Sequence, residues 1–318
     1  MIPPYQITPE ILRLIASVSE KIGRINAKYL DKPSPKLRKA NRIKTIHSSL
    51  SIEGNTLTEE QITALIEKKR IIGPQKDITE VLNTIRVYEQ LQSFDPISSK
   101  SFLKAHEMLM KGLVSENGTY RKTGVGIMAG DSIAHMPPPA DRVPQLMNDL
   151  FSYLKTSNEI TLIKSCVFHY EMEFIHPFID GNGRMGRLWQ TLILIKEYSL
   201  FEFIPFENMI HKSQKDYYYA LSQSDRSGSS TPFIVYMLKV IDDSLDSMLE
   251  LKSSVKTTAD RLSYFLETAA SEFTRKDYML AFKEISSATA SRDLRQGVEL
   301  GLFEKEGDKI NTIYRLVK

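Results

Sequence analysis

The stretch His176-Pro177-Phe178-Ile179-Asp180-Gly181-Asn182-Gly183-Arg184-Met185-Gly186-Arg187 sets the frame for the whole chain. Upstream of it, residues 160–174 carry apolar side chains at helical spacing. Pro177 disfavours the right-handed helical region at His176, so this helix is expected to end there. Downstream, residues 188–195 have the apolar density of a buried helix. The stretch is therefore a loop joining two core helices.

The residue types in this loop suit an anion. Gly181 and Gly183 flank Asn182 and free the backbone to turn successive amides into one concavity. That concavity lies at the start of the next helix, where unpaired amides and the helix dipole favour negative charge. Arg184 and Arg187, at helical spacing, project toward one side. Asp180, beside a phosphate site, is placed to hold a divalent cation, which prefers hard oxygen ligands. His176, at the opposite lip, can accept a proton near neutral pH. Taken singly, each residue has a plainer reading: a histidine before proline ends a helix, Gly-Asn-Gly makes a turn, and spaced arginines cover a solvated face. Gathered in one loop, they read as a site for phosphate binding and proton transfer.

The same helical spacing runs outward through the chain. Ile11, Leu12, Ile15, Val18 and Ile22 mark one stripe, and Ile62, Leu65 and Ile66 another, so the fold class is mainly α. Thr58 followed by Glu60, and the Asp77 to Glu80 spacing, are expected helix starts. Breaks at Pro33 to Pro35, Gly73-Pro74, Asp95-Pro96 and Pro137 to Pro139 divide the helices. No repeat or low-complexity tract is present. Residues 120–131 hold closely spaced glycines and read either as a short β-hairpin flap or as a surface loop turning at Gly130-Asp131.

The chain has 318 residues, room for about two domains. Its 42 Lys and Arg stand against 39 Asp and Glu, and a net charge of +3 gives no bulk drive toward nucleic acid or a membrane surface. Hydrophobic residues make up 42% and charged residues 25%, the balance of a chain that buries a core, which excludes disorder over most of the length. Cys166 is the single cysteine, so an internal disulfide or a cysteine-rich zinc site is excluded and a reducing, cytoplasmic setting is expected. The first residues lack a basic segment leading into an apolar one, and no apolar run is long enough to span a bilayer.

Near the N-terminus, a helical segment from about Ser34 ends in Ser49-Leu50-Ser51-Ile52-Glu53-Gly54. Ser49 and Glu53 are one i to i+4 step apart and share a face, and Gly54 is a natural stop. An acidic residue at a helix C-terminus opposes the dipole and invites a cationic partner. His169, with Glu171 and Glu173 before His176, lacks the spacing of a helical zinc pair and is expected to be a buried, hydrogen-bonded residue.

The loop matches without departure the HxFxDGNGRxxR signature, and on that run the chain resembles the Fic (filamentation induced by cAMP) family. The resemblance implies a helical enzyme that transfers AMP from ATP to a hydroxyl side chain of a target protein, and to itself. Residue by residue, it implies that His176 is the general base and that Asp180 binds Mg²⁺. Gly181, Asn182, Gly183 and Arg184 would hold the ATP phosphates, Arg187 would meet the γ-phosphate, and Phe178 would anchor the loop. Residues 124–139 fall where the family has its flap, which docks the target backbone as an added strand. Residues 216–225 and Thr231-Pro232-Phe233 resemble the nucleoside-binding helix, where Tyr217 or Tyr218 would pack on adenine unless both are plain core aromatics. Asp225 stands where several relatives have Asn. The Ser49 to Gly54 run resembles the inhibitory motif of class II members, implying that Glu53 pairs with Arg187 and excludes the γ-phosphate; in some relatives the same Glu also supports removal of AMP.

The organisation expected is therefore an N-terminal helical region over 1–95 containing the inhibitory helix at about 34–54, a Fic core over 96–256, and a small domain over 257–318. In that last segment three short amphipathic stretches lead into a glycine-turned hairpin, the order of a winged helix. Residues 255–318 carry 11 basic and 10 acidic residues, little charge for a DNA reader. Arg292 and Arg295 are its one concentration of positive charge, so a protein-contacting or homodimerising role is expected ahead of DNA binding. A nucleotide-sensing, DNA-binding regulator is the competing class, and the intact His176 and Asp180 argue for the enzyme.

Overall fold

A computed structural model of the chain describes residues 3–28, 35–129, 132–251, 257–282, 285–307 and 312–317. They fall into two compact units, one formed by Met1–Asp31 and Lys39–Ser247 and the other by Lys32–Arg38 and Met248–Lys318. The first unit begins with α1 (Pro9–Lys28), α2 (Pro35–Ile52), α3 (Glu59–Ile66), α4 (Gln75–Glu89) and α5 (Ser99–Leu109). A hairpin of β1 (Ile127–Ala129) and β2 (Ser132–His135) follows. The unit is completed by α6 (Val143–Thr156), α7 (Thr161–Ile175), α8 (Asn182–Glu197), α9 (Phe206–Lys212), α10 (Gln214–Ser227) and α11 (Thr231–Leu251). The helices of 1–95 thus share one core with those that carry the loop.

The expected loop joins α7 to α8, and these two helices pack against each other at the centre of the unit. Both are buried on nearly every side, as helices surrounded by protein are. Phe102, Phe151, Phe168, Phe178 and Trp189 form an aromatic cluster beneath the loop, with Phe102 edge-on to Trp189 at 5.0 Å between ring centres. The indole N–H of Trp189 donates to the Pro96 carbonyl at 2.9 Å, so this large ring is buried without an orphaned donor.

Two helix starts differ in detail from the expected ones. Thr58 does cap α3, but its capping-box partner is Gln61 and not Glu60, because only the third helical residue reaches back to the cap amide. The helix of residues 75–89 begins two residues before Asp77, with Pro74 at its cap position and no side-chain cap. Asp77 instead accepts from the amide and hydroxyl of Thr56, and Glu80 turns inward to an arginine described below. Both residues tie the segment after α2 to α4.

The residues expected to form a flap are a hairpin: β1 and β2 pair antiparallel, with Ala129 opposite Ser132 and Ile127 opposite His135. The turn at Gly130-Asp131 lies outside the described residues. The second unit carries α12 (Thr258–Thr268), β3 (Glu272–Phe273), α13 (Arg275–Ala281), α14 (Ser287–Glu299), β4 (Phe303–Glu306) and β5 (Ile313–Leu316). Its sheet has the order β3-β5-β4, so a short strand joins the hairpin expected from the sequence. Leu262, Phe265, Phe273, Tyr278, Leu294, Phe303 and Tyr314 form its core, and the ion pair of Arg261 with Asp293 crosses from α12 to α14. Among the described residues, no helix is long and apolar enough to cross a membrane.

Candidate active site

The loop is held by its own side chains. Phe178 is fully buried and stacks on His106, with ring centres 3.6 Å apart, and on Phe102 at 5.3 Å. The Gly118 amide donates to His106 Nδ1 at 2.9 Å, which leaves Nε2 to carry the proton donated to the Asp180 carbonyl at 3.0 Å. Burial pulls the His106 ring down to about 4, so it stays neutral in this role. Asn182 closes the loop: its amide oxygen accepts from the Phe178 amide at 3.0 Å and its NH₂ donates to the Phe178 carbonyl at 2.9 Å. The side chain of Asn182 is thus committed inside the loop, and it is the backbone amide that remains for an anion. Phe178→Ala is expected to cost about 3–5 kcal/mol, read as a fall in denaturation midpoint.

The glycines of the loop sit where the backbone is left-handed or closely approached. Gly181 is left-handed at φ 89°, and a Cβ there would meet Met110 Sδ at 2.8 Å. It precedes α8 with no side-chain cap, and the first intrahelical bond runs from the Met185 amide to the Gly181 carbonyl. The amides of the opening turn therefore point out of the helix end unclaimed by helical partners, an anion site by construction.

His176 ends α7 in a left-handed conformation, φ 50° and ψ 60°. Pro177 removes the right-handed option, and for a residue with a Cβ the left-handed one costs roughly 1–2 kcal/mol. Two contacts impose it: the His176 amide donates to the Met172 carbonyl at 2.9 Å, and the His176 carbonyl accepts from Arg121 Nε at 2.8 Å. Its Nδ1 is buried with no hydrogen-bond partner. Burial holds the ring below the ordinary histidine value, so the imidazole is an unprotonated base at neutral pH.

Arg121 is the residue that sequence reading missed. It is almost fully buried, and besides the His176 carbonyl its guanidinium donates to Thr123, Pro138 and Ile175 carbonyls at 3.0, 2.6 and 3.3 Å. One side chain thus binds both stems of the flap to the end of α7. Its only sequence signal is its position beside the glycine-rich segment.

The three remaining charged residues of the loop split their work. Asp180 accepts from the Gly181 amide at 2.6 Å and from Arg184 at 2.9 Å, both through Oδ1, and its side chain is 46% exposed. Arg184 is buried and also pairs with Glu80 at 3.2 Å, whose other oxygen accepts from Asn55 at 2.8 Å. Arg187 is fully buried. It donates to the Ser49 hydroxyl at 3.1 Å, to the Ser49 carbonyl at 2.9 Å and to Glu53 Oε1 at 2.8 Å. Burial alone would lower its pKa, but the Glu53 carboxylate outweighs that and raises it. Glu53 Oε1 also lies so close over Gly183 that a Cβ there would collide with it. The two residues expected to share a face of α2 thus meet Arg187 together, and the carboxylate sits against the glycine of the anion site.

The tyrosines separate. Tyr217 is buried, and its hydroxyl lies 3.1 Å from His169 Nε2 among Phe233 and Tyr236, so it is a core aromatic. Tyr218 is 49% exposed, which leaves it as the ring a base could stack on. His169 is fully buried between Gln190 and Tyr217, as expected of a structural histidine. Burial pushes the Cys166 thiol up to about 12, far from reactivity. A cluster of Asp242, Asp243 and Asp246 lies on α11, where Lys21 pairs with two of the three.

A helical core here brings together an uncapped helix N-terminus, two buried arginines and a neutral histidine. The model of the Fic/DOC family matches residues 96–194. A Fic family protein from Desulfovibrio desulfuricans G20 is 42% identical over all of this chain and 98% of its own, with a TM-score of 0.77. The chain belongs to the Fic family. It is also 27% identical to the protein adenylyltransferase Fic of Nematostella vectensis over 76% of this chain and 58% of that protein. For the same-named protein of Drosophila grimshawi the values are 27%, 74% and 49%. The chain thus spans about half the length of these curated relatives. Fic-1 from C. elegans shares the fold at a TM-score of 0.64 and 21% identity over 77% of this chain and 74% of its own.

Proposed function

We propose that this protein transfers AMP from ATP to a hydroxyl side chain of a protein, itself included, and that Glu53 holds the activity in check. The observation that carries the reading is the pairing, in one loop, of an unprotonated His176 with the open amides of α8. Attack of a hydroxyl on the α-phosphorus needs a base for the nucleophile and positive charge for the departing pyrophosphate. His176 takes the hydroxyl proton. The amides of Asn182 and Gly183 with Arg184 face the phosphates, and Arg187 serves the γ-phosphate once Glu53 has left. Curated relatives bearing the name protein adenylyltransferase support the same chemistry.

Asp180 fits a hard cation, because its protein contacts fall on one oxygen and the side chain is half exposed. It would hold Mg²⁺ beside the phosphates, and the ion would neutralise charge building on the pyrophosphate. Asp180→Ala, or EDTA, is expected to lower transfer of label from α-³²P-ATP at least about 100-fold. Undiminished labelling in chelator would remove the metal from the scheme.

The second unit we take to be a winged-helix module for protein contact or self-association. The positive charge α14 could offer to DNA is small, Arg292 and Arg295, and Arg295 lies 3.7 Å from Glu299. A gel-shift titration with random duplex DNA tests the competing class, a DNA-binding regulator: salt-sensitive binding at micromolar protein would favour it.

A further inference from the structure

His135, the last residue of β2, stands where the flap returns to the core. Its Nε2 lies 2.9 Å from the Phe174 carbonyl oxygen, and its Nδ1 lies 2.9 Å from Asp225 Oδ2. A carbonyl and a carboxylate can only accept. Both ring nitrogens must therefore donate, and only the imidazolium has two N–H groups. Both carboxylate oxygens of Asp225 are engaged in this arrangement, the other one accepting from the Tyr170 hydroxyl at 3.0 Å.

We propose that His135 in its imidazolium form is the latch of the flap, joining the β2 stem to the end of α7 through the Phe174 carbonyl and to α10 through Asp225. The inference rests on the AMP-transfer reading for its activity consequence, and on geometry alone for the protonation state. Phe174 lies two residues before His176, so the latch aligns the flap with the segment that carries the base. A neutral ring has one donor for two acceptors and must release either α7 or α10. The latch then loses one of its two anchors, and the flap stem is no longer fixed over the site.

The surroundings agree. Among the described residues, the titratable groups around the ring and its carboxylate are Tyr170, Glu171, Glu173 and His176 from α7 and Asp225 from α10. Burial opposes charge on His135, but Asp225, the Phe174 carbonyl and Glu173 outweigh it and raise the ring above the ordinary 6.5. Glu171 is pushed up to about 7, first by burial and then by Asp225, so it carries only part of its negative charge at neutral pH. A cationic His135 in turn helps hold His176 in its neutral form. The sign follows: the latch is complete while the pH lies below the raised value and is lost as pH climbs through it. Transfer is then limited on the acid side by His176 and on the alkaline side by His135, as one coupled pair.

The test uses full-length protein carrying Glu53→Gly with ¹⁵N-labelled histidine, the His135 signals being assigned by their loss in His135→Gln. The expected spectrum has both His135 ring nitrogens protonated at pH 7. Asp225→Asn is expected to lower the pH at which the second proton leaves by about one unit. The same variant should move the alkaline limb of self-labelling by α-³²P-ATP by the same amount, with ATP affinity by calorimetry changed less than about 2-fold. A neutral His135 ring at pH 7 overturns the proposal, as does an alkaline limb that stays in place in both Asp225→Asn and His135→Gln. If the Glu53→Gly protein transfers no label at any pH, the functional reading fails, while the ring spectrum still decides the protonation state.

Discussion

Glu53→Gly is expected to raise self-labelling from α-³²P-ATP by roughly 10- to 100-fold, the range of a coupling free energy of a few kcal/mol between two sites. The carboxylate of Glu53 lies 2.8 Å from Arg187 and hard against Gly183, the position an incoming γ-phosphate would contest. Removing it leaves Arg187, which is fully buried, without its anionic partner. That orphaned charge should destabilise the ligand-free protein by up to about 3 kcal/mol, since Glu53 itself keeps 30% exposure and the pair is not wholly desolvated. ATP then supplies the missing anion, so the variant's melting temperature should recover with nucleotide more than the wild type's does. Calorimetry gives the sharper readout: if Glu53 displaces the γ-phosphate as proposed, affinity for ATP should rise more than affinity for ADP. Arg187→Ala releases the same brake but also deletes a phosphate contact, and is expected to stay inactive. If Glu53→Gly binds ATP and labels no better than wild type, the inhibitory role is wrong and the Glu53–Arg187 pair is only a tether for α2.

His176→Ala, in the Glu53→Gly background, is expected to lower transfer by about 10²- to 10⁴-fold, the usual contribution of a positioned general base. Nucleotide affinity should be nearly unchanged, because the proposed phosphate contacts lie at the opening of α8 and not on the ring. The pH dependence carries its own sign. The base must be unprotonated, and burial holds His176 below the ordinary 6.5, so the acid limb of transfer should fall below that value. An acid limb centred above it, or full labelling by His176→Ala, would falsify the assignment. The left-handed backbone at His176 adds a structural check. His176→Gly relieves the backbone cost and should regain part of the stability lost with the ring, yet restore no transfer.

Local chemistry wrote much of this protein into its sequence. The HPFIDGNGRMGR run specifies a helix stop at Pro177, glycines where the backbone must be left-handed or closely approached, and apolar flanks long enough to be core helices. Those are properties of single residues and their neighbours, and they held: α7 ends at Ile175, Gly181 is left-handed, and α8 opens at Asn182. The i to i+4 step from Ser49 to Glu53 was likewise legible, because helical geometry puts both on one face whatever lies opposite.

What lay opposite was decided only by the tertiary structure. Chain separations of 134 and 138 residues divide Arg187 from Glu53 and Ser49, and no local rule sets their 2.8 to 3.1 Å contacts. Asp77 and Glu80 had the look of a helix cap, yet both found stronger partners elsewhere once α4 packed beside the loop. Tyr217 and Tyr218 are adjacent and chemically alike, and only the packing of α10 on Phe233 and Tyr236 sends one inward and leaves the other out. Arg121, His135 and Asp225 carried no pattern that names their work. Each acts by bonding backbone carbonyls or a side chain from a distant element, and a carbonyl is invisible in a sequence because every residue has one.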